Sequence, residues 1–91
     1  MNTHTVQLIA RPLEAVEYTE ATGEEVRQWV QDHSTFVEIV RDLNSGRLYL
    51  PIEGDTVDIV EYGEFILHEP GTGNFRSVTP DAYHEFYEEV V

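Results

Sequence analysis

The sequence predicts an α+β fold in which a small antiparallel sheet of roughly four to six strands packs against two helices. Short β-rich runs separated by turn-forming residues occupy the middle of the chain and predict hairpins or a meander. Two helix-start signals, at Thr22 and at Thr79, each precede apolar residues at helical spacing. The chain has 91 residues, 41% hydrophobic and 11% aromatic, and we expect one folded domain over residues 1–91.

The N-terminal segment predicts one strand. Met1–Thr5 is polar, and we expect it to be frayed. An apolar run begins at Val6 and contains Pro12. Because proline cannot donate to a ladder of hydrogen bonds, the run predicts an edge strand or a strand that begins after the proline. We place this strand near Leu13–Thr19.

The next segment predicts a short amphipathic helix over Gly23–Asp32. Thr22-Gly23-Glu24-Glu25 fits a capping box, in which Thr22 and Glu25 satisfy backbone N–H groups at the start of the helix. Apolar residues then recur at helical spacing, with Trp29 at the centre of the stripe. Trp29 is therefore expected to anchor the helix in the core, and an exposed role in partner binding is the alternative.

The segment that follows predicts a hairpin. Phe36–Arg41 is β-rich, and Asn44-Ser45-Gly46 supplies residues that tolerate a positive φ at a turn. Arg47–Ile52 alternates with period two, which places on one face Leu48, Leu50 and Ile52.

A second hairpin, Asp55–Glu69, is predicted at the centre of the sheet, after a turn at Glu53-Gly54-Asp55. Two apolar runs, Val57–Val60 and Phe65–Leu67, flank a break at Glu61-Tyr62-Gly63. Two β-rich runs split by a glycine-containing turn are typical of paired antiparallel strands. The sheet is therefore expected to be an antiparallel meander.

The C-terminal part predicts a loop, a last strand and a second helix. Pro70–Gly73 has a loop composition, and Phe75–Val78 is expected to be a strand. Thr79-Pro80-Asp81 combines an N-cap hydroxyl, a proline at the first helical position and an acid at the positive end of the helix dipole. The helix that follows is expected to pack an aromatic face on the sheet, consisting of Tyr83, Phe86, Tyr87 and Val90.

Several short motifs, taken in order, resemble a family of small phage and prophage proteins that read Gly-Asp-Tyr-Ile-Ile, Gly-Glu-Phe, Pro-Asp-x-Phe and Tyr-Glu-x-Val. The matching segments are Tyr62-Gly63-Glu64-Phe65-Ile66-Leu67, Gly73-Asn74-Phe75, Pro80-Asp81-Ala82-Tyr83 and Tyr87-Glu88. Arg11–Thr19 is similar to the family's N-terminal strand, and Glu64 departs from the family's aspartate. The resemblance implies a phage or prophage origin and, by analogy, an accessory protein that binds host or phage proteins.

The sequence predicts no catalytic, cofactor or metal site. It contains no cysteine, and its glycines form no dinucleotide or phosphate-loop pattern. The histidines are His4, His33, His68 and His84. None of them has a zinc-ligand spacing, so a metal site would need partners distant in the chain. His68 near Glu69 and His84 beside Glu85 could contribute ligands, but we expect both at the surface.

The charge predicts a basic partner. Eighteen acidic residues and five arginines give a net charge of -13 without any lysine, which disfavours direct binding to nucleic acid or to an anionic membrane. No apolar run approaches the ~20 residues of a membrane helix. The candidate acidic binding surface is Glu53, Asp55, Asp58, Glu61, Glu64, Glu69, Glu85, Glu88 and Glu89. If the central hairpin alternates, Asp58 projects from its solvent side. A solvated surface that only favours solubility is the alternative.

We therefore expect a non-catalytic accessory protein, in the cytoplasm of an infected or lysogenic bacterium, that binds a host or phage protein. Two alternatives are an acidic mimic of DNA that blocks a nucleic-acid-binding or defence protein, and a minor virion or assembly component that self-associates. A plain binding protein predicts an exposed apolar or aromatic patch, mimicry predicts acids clustered on one face, and assembly predicts stable oligomers.

Overall fold

A computed structural model describes residues 1–8, 11–34, 38–52 and 56–89. Over these ranges the chain forms strands and two helices, which confirms the α+β class and the position of both helices. The elements in order are β1 (His4–Leu8), β2 (Arg11–Glu17), α1 (Gly23–Asp32), β3 (Val40–Arg41), β4 (Leu48–Pro51), β5 (Val57–Val60), β6 (Phe65–Glu69), β7 (Asn74–Val78), α2 (Pro80–Phe86) and β8 (Glu88–Glu89).

The strands belong to two antiparallel sheets. The larger sheet has five strands in the order β7-β6-β2-β1-β8, and the smaller has three in the order β3-β4-β5. The strands therefore do not form one continuous meander. The chain leaves the larger sheet after β2, builds the smaller one, and returns at β6.

The two sheets and two helices form three layers with a core on each side of the larger sheet. One core joins the inner face of the smaller sheet and α1 to the larger sheet, and it includes Trp29, Leu50 and Ile66. The other core lies between the larger sheet and α2, and it includes Leu67 and Tyr83. The larger sheet is therefore covered on both faces, whereas the smaller sheet is covered on one.

The N-terminus forms a hairpin of two strands rather than one strand. β1 begins at His4, so the last two residues of the segment expected to be frayed, His4 and Thr5, are paired with β2. β2 is an inner strand, but its pairing with β6 starts only at Glu14. Pro12 thus lies where β2 has a neighbour on one side, which is where a strand tolerates the missing N–H group.

The central hairpin predicted over Asp55–Glu69 is wrong, because β5 pairs with β4 and β6 pairs with β2 and β7. The turn between β5 and β6 is attached to the end of β2. The Gly63 N–H donates to the Tyr18 carbonyl at 2.7 Å, and the Tyr18 N–H donates to the Glu64 carbonyl at 2.9 Å. These bonds direct the chain along β2, so β6 enters the larger sheet instead of folding back on β5.

The other predicted hairpin, between Phe36–Arg41 and Arg47–Ile52, is confirmed for β3 and β4. Val40 pairs with Tyr49, and Arg41 pairs with Leu48. Gly46 has a φ of 80° in the connecting turn, a conformation that glycine adopts without strain. The predicted inward face is also confirmed, since Leu48 and Leu50 are buried and Ile52 packs against the same core. The predicted turn at Glu53-Gly54-Asp55 and the residues Phe36 and Val37 lie outside the described residues.

Helix α1 has the predicted bounds, but the predicted capping box does not form. The Thr22 side chain makes no capping bond to the helix, and its hydroxyl lies 2.8 Å from the Thr19 hydroxyl instead. The Glu25 carboxylate is paired with the N-terminal amine at 2.8 Å. Local sequence thus predicts where α1 begins, although Thr22 and Glu25 form other contacts than those of a capping box.

Helix α2 begins as predicted and ends earlier. The Thr79 hydroxyl accepts from the Ala82 N–H, and Pro80 occupies the first turn. Tyr83 is buried and Tyr87 packs beside it, but Phe86 is 58% exposed. The predicted aromatic face is therefore wrong at Phe86, because the chain becomes extended at Tyr87 and its next residues pair with β1 as β8. Neither described helix is long and apolar enough to span a bilayer.

The two helix starts give a matched pair of cap variants. We expect Thr79→Ala to lower the free energy of unfolding by about 1 kcal/mol, because it removes a hydrogen bond that satisfies the first turn of α2. Thr22→Ala is the control, since the Thr22 side chain forms no cap bond and the loss should be smaller. Urea unfolding followed by Trp29 fluorescence measures both. An equal or larger loss in Thr22→Ala would contradict this assignment of the caps.

Candidate functional site

The uncovered face of the smaller sheet is the first candidate site. We call it the outer face, and it consists of Val40, Tyr49, Pro51, Val57 and Ile59. Strand register brings these residues together, because Tyr49 lies between Val40 and Ile59 while Pro51 pairs with Val57. The alternate residues of the same strands, among them Leu48, Leu50 and Val60, point into the core.

The outer face is apolar and accessible. Val40, Val57 and Ile59 are each about half exposed, at 52%, 54% and 47% respectively, and Tyr49 and Pro51 are partly buried. None of the five side chains carries a charge. Large apolar side chains scattered singly over a surface are ordinary, but a contiguous group in strand register is typical of an interaction surface.

Charged residues lie at the margin of the outer face. Arg47 and Glu61 form an exposed ion pair at 3.3 Å. Arg47 is two residues before Tyr49, and Glu61 is two residues after Ile59. Glu38, two residues before Val40, is exposed. The patch therefore has an apolar centre and a charged rim, as protein interfaces commonly do.

A cluster of two histidines and one carboxylate is the second candidate site. We call it the histidine cluster, and it consists of Glu14 on β2, His68 on β6 and His33 at the C-terminal end of α1. Glu14 and His68 are register partners on the face of the larger sheet that α1 covers. One ligand atom of each residue lies within 4.8 Å of those of the other two.

The hydrogen bonds of the histidine cluster identify where its protons are. His68 Nδ1 lies 3.0 Å from Glu14 Oε1, and His33 Nδ1 lies 2.7 Å from the Trp29 carbonyl. Carboxylate and carbonyl oxygens only accept, so in each ring Nδ1 is the nitrogen that carries hydrogen. A neutral His33 therefore presents a lone pair on Nε2, the state in which histidine binds metals.

Aromatic rings surround the histidine cluster. The rings of His33 and His68 are 4.8 Å apart, and the Trp29 ring lies 5.1 Å from the first and 5.9 Å from the second. Phe75 packs on His68 from the neighbouring strand at 4.7 Å. His68 is consequently 5% exposed, so the expectation that it lies at the surface is wrong. His84 is exposed, as expected, and His33 is exposed as well.

The predicted acidic residues near the smaller sheet have separate local partners. Asp58 faces inward and accepts a hydrogen bond from Ser77 on β7, so its predicted outward orientation is wrong. Glu61 is paired with Arg47, and the Glu64 carboxylate accepts from the Glu61 N–H at 2.7 Å. The adjacent predicted residues Glu53 and Asp55 lie outside the described ranges.

The other predicted acids are distributed around the molecule. Glu64 and Glu69 flank opposite ends of β6, about 16 Å apart along a strand of this length. Glu85 is exposed on α2, across the larger sheet from Asp58. Glu88 and Glu89 belong to β8 at the sheet edge. The described members of the candidate acidic surface therefore belong to several different elements, and mimicry of DNA stays a prediction.

Sequence reasoning missed both candidate sites for different reasons. The outer face has a signal, since Val57, Asp58, Ile59 and Val60 include apolar residues on both faces of β5, but the sequence does not say which face is covered. The histidine cluster has none, because Glu14 and His68 are 54 positions apart. Their proximity depends on the pairing of β2 with β6, which the predicted meander does not contain.

Comparison of the chain with protein-family models, with curated proteins and with solved structures finds no match to any of them. Functional inference therefore depends on the contacts, burial and charge of the two candidate sites.

Proposed function

We propose that this protein is a non-catalytic binding protein that attaches to a second protein through its outer face. One observation supports this proposal above the others: the smaller sheet leaves an uncharged, half-exposed face in strand register, whereas the described residues of the larger sheet form a core on each of its two faces. Burying such a face against a partner gains about 25 cal/mol per Å² of apolar surface removed from water.

Charge indicates the chemistry of the partner. The chain carries a net charge of -13, so a partner with a complementary apolar centre and basic residues around it is attracted at long range. A second copy of this chain would bring the same charge to the same interface, which disfavours self-association through the outer face. The partner is therefore a different protein with a basic surface.

The resemblance to small phage and prophage proteins supports a phage or prophage origin for this protein, and it indicates where the partner comes from. We assign the partner to the proteins of the bacterial host or of the phage itself, and the place of action to the cytoplasm of an infected or lysogenic cell. Mimicry of DNA is the alternative, in which the nucleic-acid site of the partner binds the candidate acidic surface instead of the outer face.

The experiment that tests this function first captures a partner and then measures the affinity of the partner for wild type and for a variant of the outer face. Tagged protein is used to capture host proteins, and the partner identified by mass spectrometry is purified and titrated against wild type and against a Val57→Thr/Ile59→Thr variant. Threonine keeps the β propensity of both positions and removes apolar surface. We expect binding at least about tenfold weaker, since about 1.4 kcal/mol of lost burial is a factor of ten.

A matched control removes charge instead of apolar surface. A Glu64→Gln/Glu69→Gln variant should bind the partner with nearly wild-type affinity, because these residues lie outside the outer face. Equal affinity of wild type and the threonine variant would overturn the outer face as the interface. A partner displaced by duplex DNA and weakened by the glutamine variant would instead support mimicry, and stable oligomers with no partner would support assembly.

A further inference from the structure

We propose that Glu14, His33 and His68 form a binding site for one divalent transition-metal ion, with Zn²⁺ as the reference ion. The proposal is independent of the outer face, which lies on the far side of the smaller sheet. Two imidazole nitrogens and one carboxylate oxygen are a ligand set that zinc uses in sites that keep a fourth position for water. Nitrogen ligands also favour transition metals over Mg²⁺ and Ca²⁺.

Three separate elements supply the ligands, and each is held by the fold. Glu14 and His68 face each other across the β2–β6 pair in the middle of the larger sheet. His33 is the C-cap residue of α1, where its Nδ1 hydrogen bond to the Trp29 carbonyl fixes the orientation of the ring. A backbone carbonyl bonded to the far nitrogen is the usual support of a metal-binding histidine, so His33 presents Nε2 in the form that a metal requires.

His68 and Glu14 are joined by a hydrogen bond whose place a metal ion can take. Their Nδ1 and Oε1 atoms are 3.0 Å apart, close to the separation of two ligands on one tetrahedral Zn²⁺ with bonds of about 2.0–2.1 Å. On binding, the hydrogen of the neutral His68 ring moves from Nδ1 to Nε2 by exchange with water, and Nδ1 and Oε1 then each donate a lone pair to the ion. No proton is lost from the neutral ring in this step, and the Glu14 carboxylate offsets one of the two positive charges of the ion.

His33 must move to complete the site. Two atoms bonded to the same Zn²⁺ lie at most about 4.2 Å apart, whereas the ligand atoms of the cluster spread over as much as 4.8 Å. The His33 side chain is exposed and can shift toward His68, which is buried and held between Phe75 and Trp29. The site is therefore assembled by a small movement of one residue, and water fills the fourth position.

Burial distinguishes this cluster from the many carboxylates of the surface. His68 is 5% exposed and lies within the apolar core side of the sheet, where Trp29 and Phe75 exclude water. A bound ion would connect the end of α1 to the middle of the larger sheet. Metal binding is thus expected to stabilise the folded state, because the unfolded chain does not bring the three ligands together.

The single tryptophan makes the site measurable. Trp29 lies within 6 Å of both histidine rings, so bound Co²⁺ should quench its fluorescence, and excess Zn²⁺ should restore it by displacement. We expect saturation at one ion per chain. At a Zn²⁺ concentration roughly ten times Kd, the thermal unfolding midpoint is expected to rise by about 5–10 °C.

Two variants and one control test the ligands. His33 is exposed, so the His33→Gln variant is expected to fold normally. It should bind Co²⁺ and Zn²⁺ at least about tenfold more weakly than wild type. Glu14→Gln keeps a hydrogen-bond partner for His68 and should also weaken binding. His84→Gln removes an exposed histidine from the opposite side of the larger sheet and should leave affinity unchanged. Wild-type affinity in His33→Gln, an equal loss in His84→Gln, or Mg²⁺ binding as tight as Zn²⁺ binding would overturn the proposal.

Discussion

Replacing Trp29 with alanine is expected to lower the free energy of unfolding by about 3–5 kcal/mol. Trp29 is 8% exposed in the core between α1 and the sheets, and its ring packs edge-on against Phe75 at 6.0 Å. The loss combines the removed apolar surface with a cavity that the sheets on both sides cannot close. Because this is the only tryptophan, unfolding by urea should be followed by far-UV circular dichroism.

Phe86→Ala is the matched control for Trp29→Ala. Both positions lie on helices and were predicted to be core residues, but Phe86 is 58% exposed. Its replacement should change the free energy of unfolding by no more than about 0.5 kcal/mol, as is usual for surface positions. A loss at Phe86 as large as that at Trp29 would mean that α2 continues past Tyr87 with its aromatic face buried, contrary to the observed end of the helix.

Local signals in the sequence predicted the helices well, because a few neighbouring residues determine a helix start. The bounds of α1 and the Thr79 cap of α2 are examples. The early end of α2 was not predictable in this way. Tyr83, Phe86 and Tyr87 keep a helical spacing, and the chain leaves the helix to pair Glu88 and Glu89 with β1, a partner far away in sequence.

Strand pairing was predicted where a short turn joins the partners and missed where the partners are distant. β3 and β4 are joined by a turn with Gly46, and their pairing was correct. The run Phe65–Leu67 carried a usable warning, since consecutive apolar residues without alternation are typical of a strand buried on both faces. β6 is such a strand, because the side chains on both of its faces are buried. β5 is not, because the side chains on its outer face are exposed.

The candidate sites depend on that same pairing. Once β6 lies against β2, Glu14 meets His68, and the end of α1 brings His33 to both. Once β5 lies at the edge of the smaller sheet, Asp58 turns inward to Ser77 and Ile59 turns outward. The incorrect pairing of β5 with β6 therefore prevented the prediction of both sites, and it placed the Asp58 side chain on the wrong face of β5.

Replacing Tyr18 with phenylalanine is expected to lower the free energy of unfolding by about 2–3 kcal/mol at neutral pH. The Tyr18 side chain is fully buried, and its hydroxyl donates to the Gly46 carbonyl and accepts from Arg41 Nε at 2.9 Å. Arg41 in turn donates to the Tyr62 hydroxyl at 3.0 Å. The variant keeps the ring but leaves a buried carbonyl and a guanidinium N–H without this partner, so the loss comes from hydrogen bonds rather than from a cavity.

The same variant should change how stability depends on alkaline pH. Burial raises the pKa of Tyr18 above its ordinary value of 10.0, and the bond and charge of Arg41 oppose that shift only in part. A pKa raised in the folded state means that the contribution to stability is complete below pH 10 and is lost as pH rises through the folded value. The chain has no lysine or cysteine, so these two residue types do not contribute to a change of stability at alkaline pH.

Urea unfolding followed by Trp29 fluorescence from pH 7 to about 11 measures this dependence. Wild type should lose stability above pH 10, and Tyr18→Phe should lose less over the same range, because phenylalanine has no proton to release. Tyr49→Phe, which removes a hydroxyl from the outer face, is the control and should follow the wild-type curve. If Tyr18→Phe also follows that curve, the alkaline loss comes from the general increase in negative charge, and the buried hydroxyl of Tyr18 is not its source.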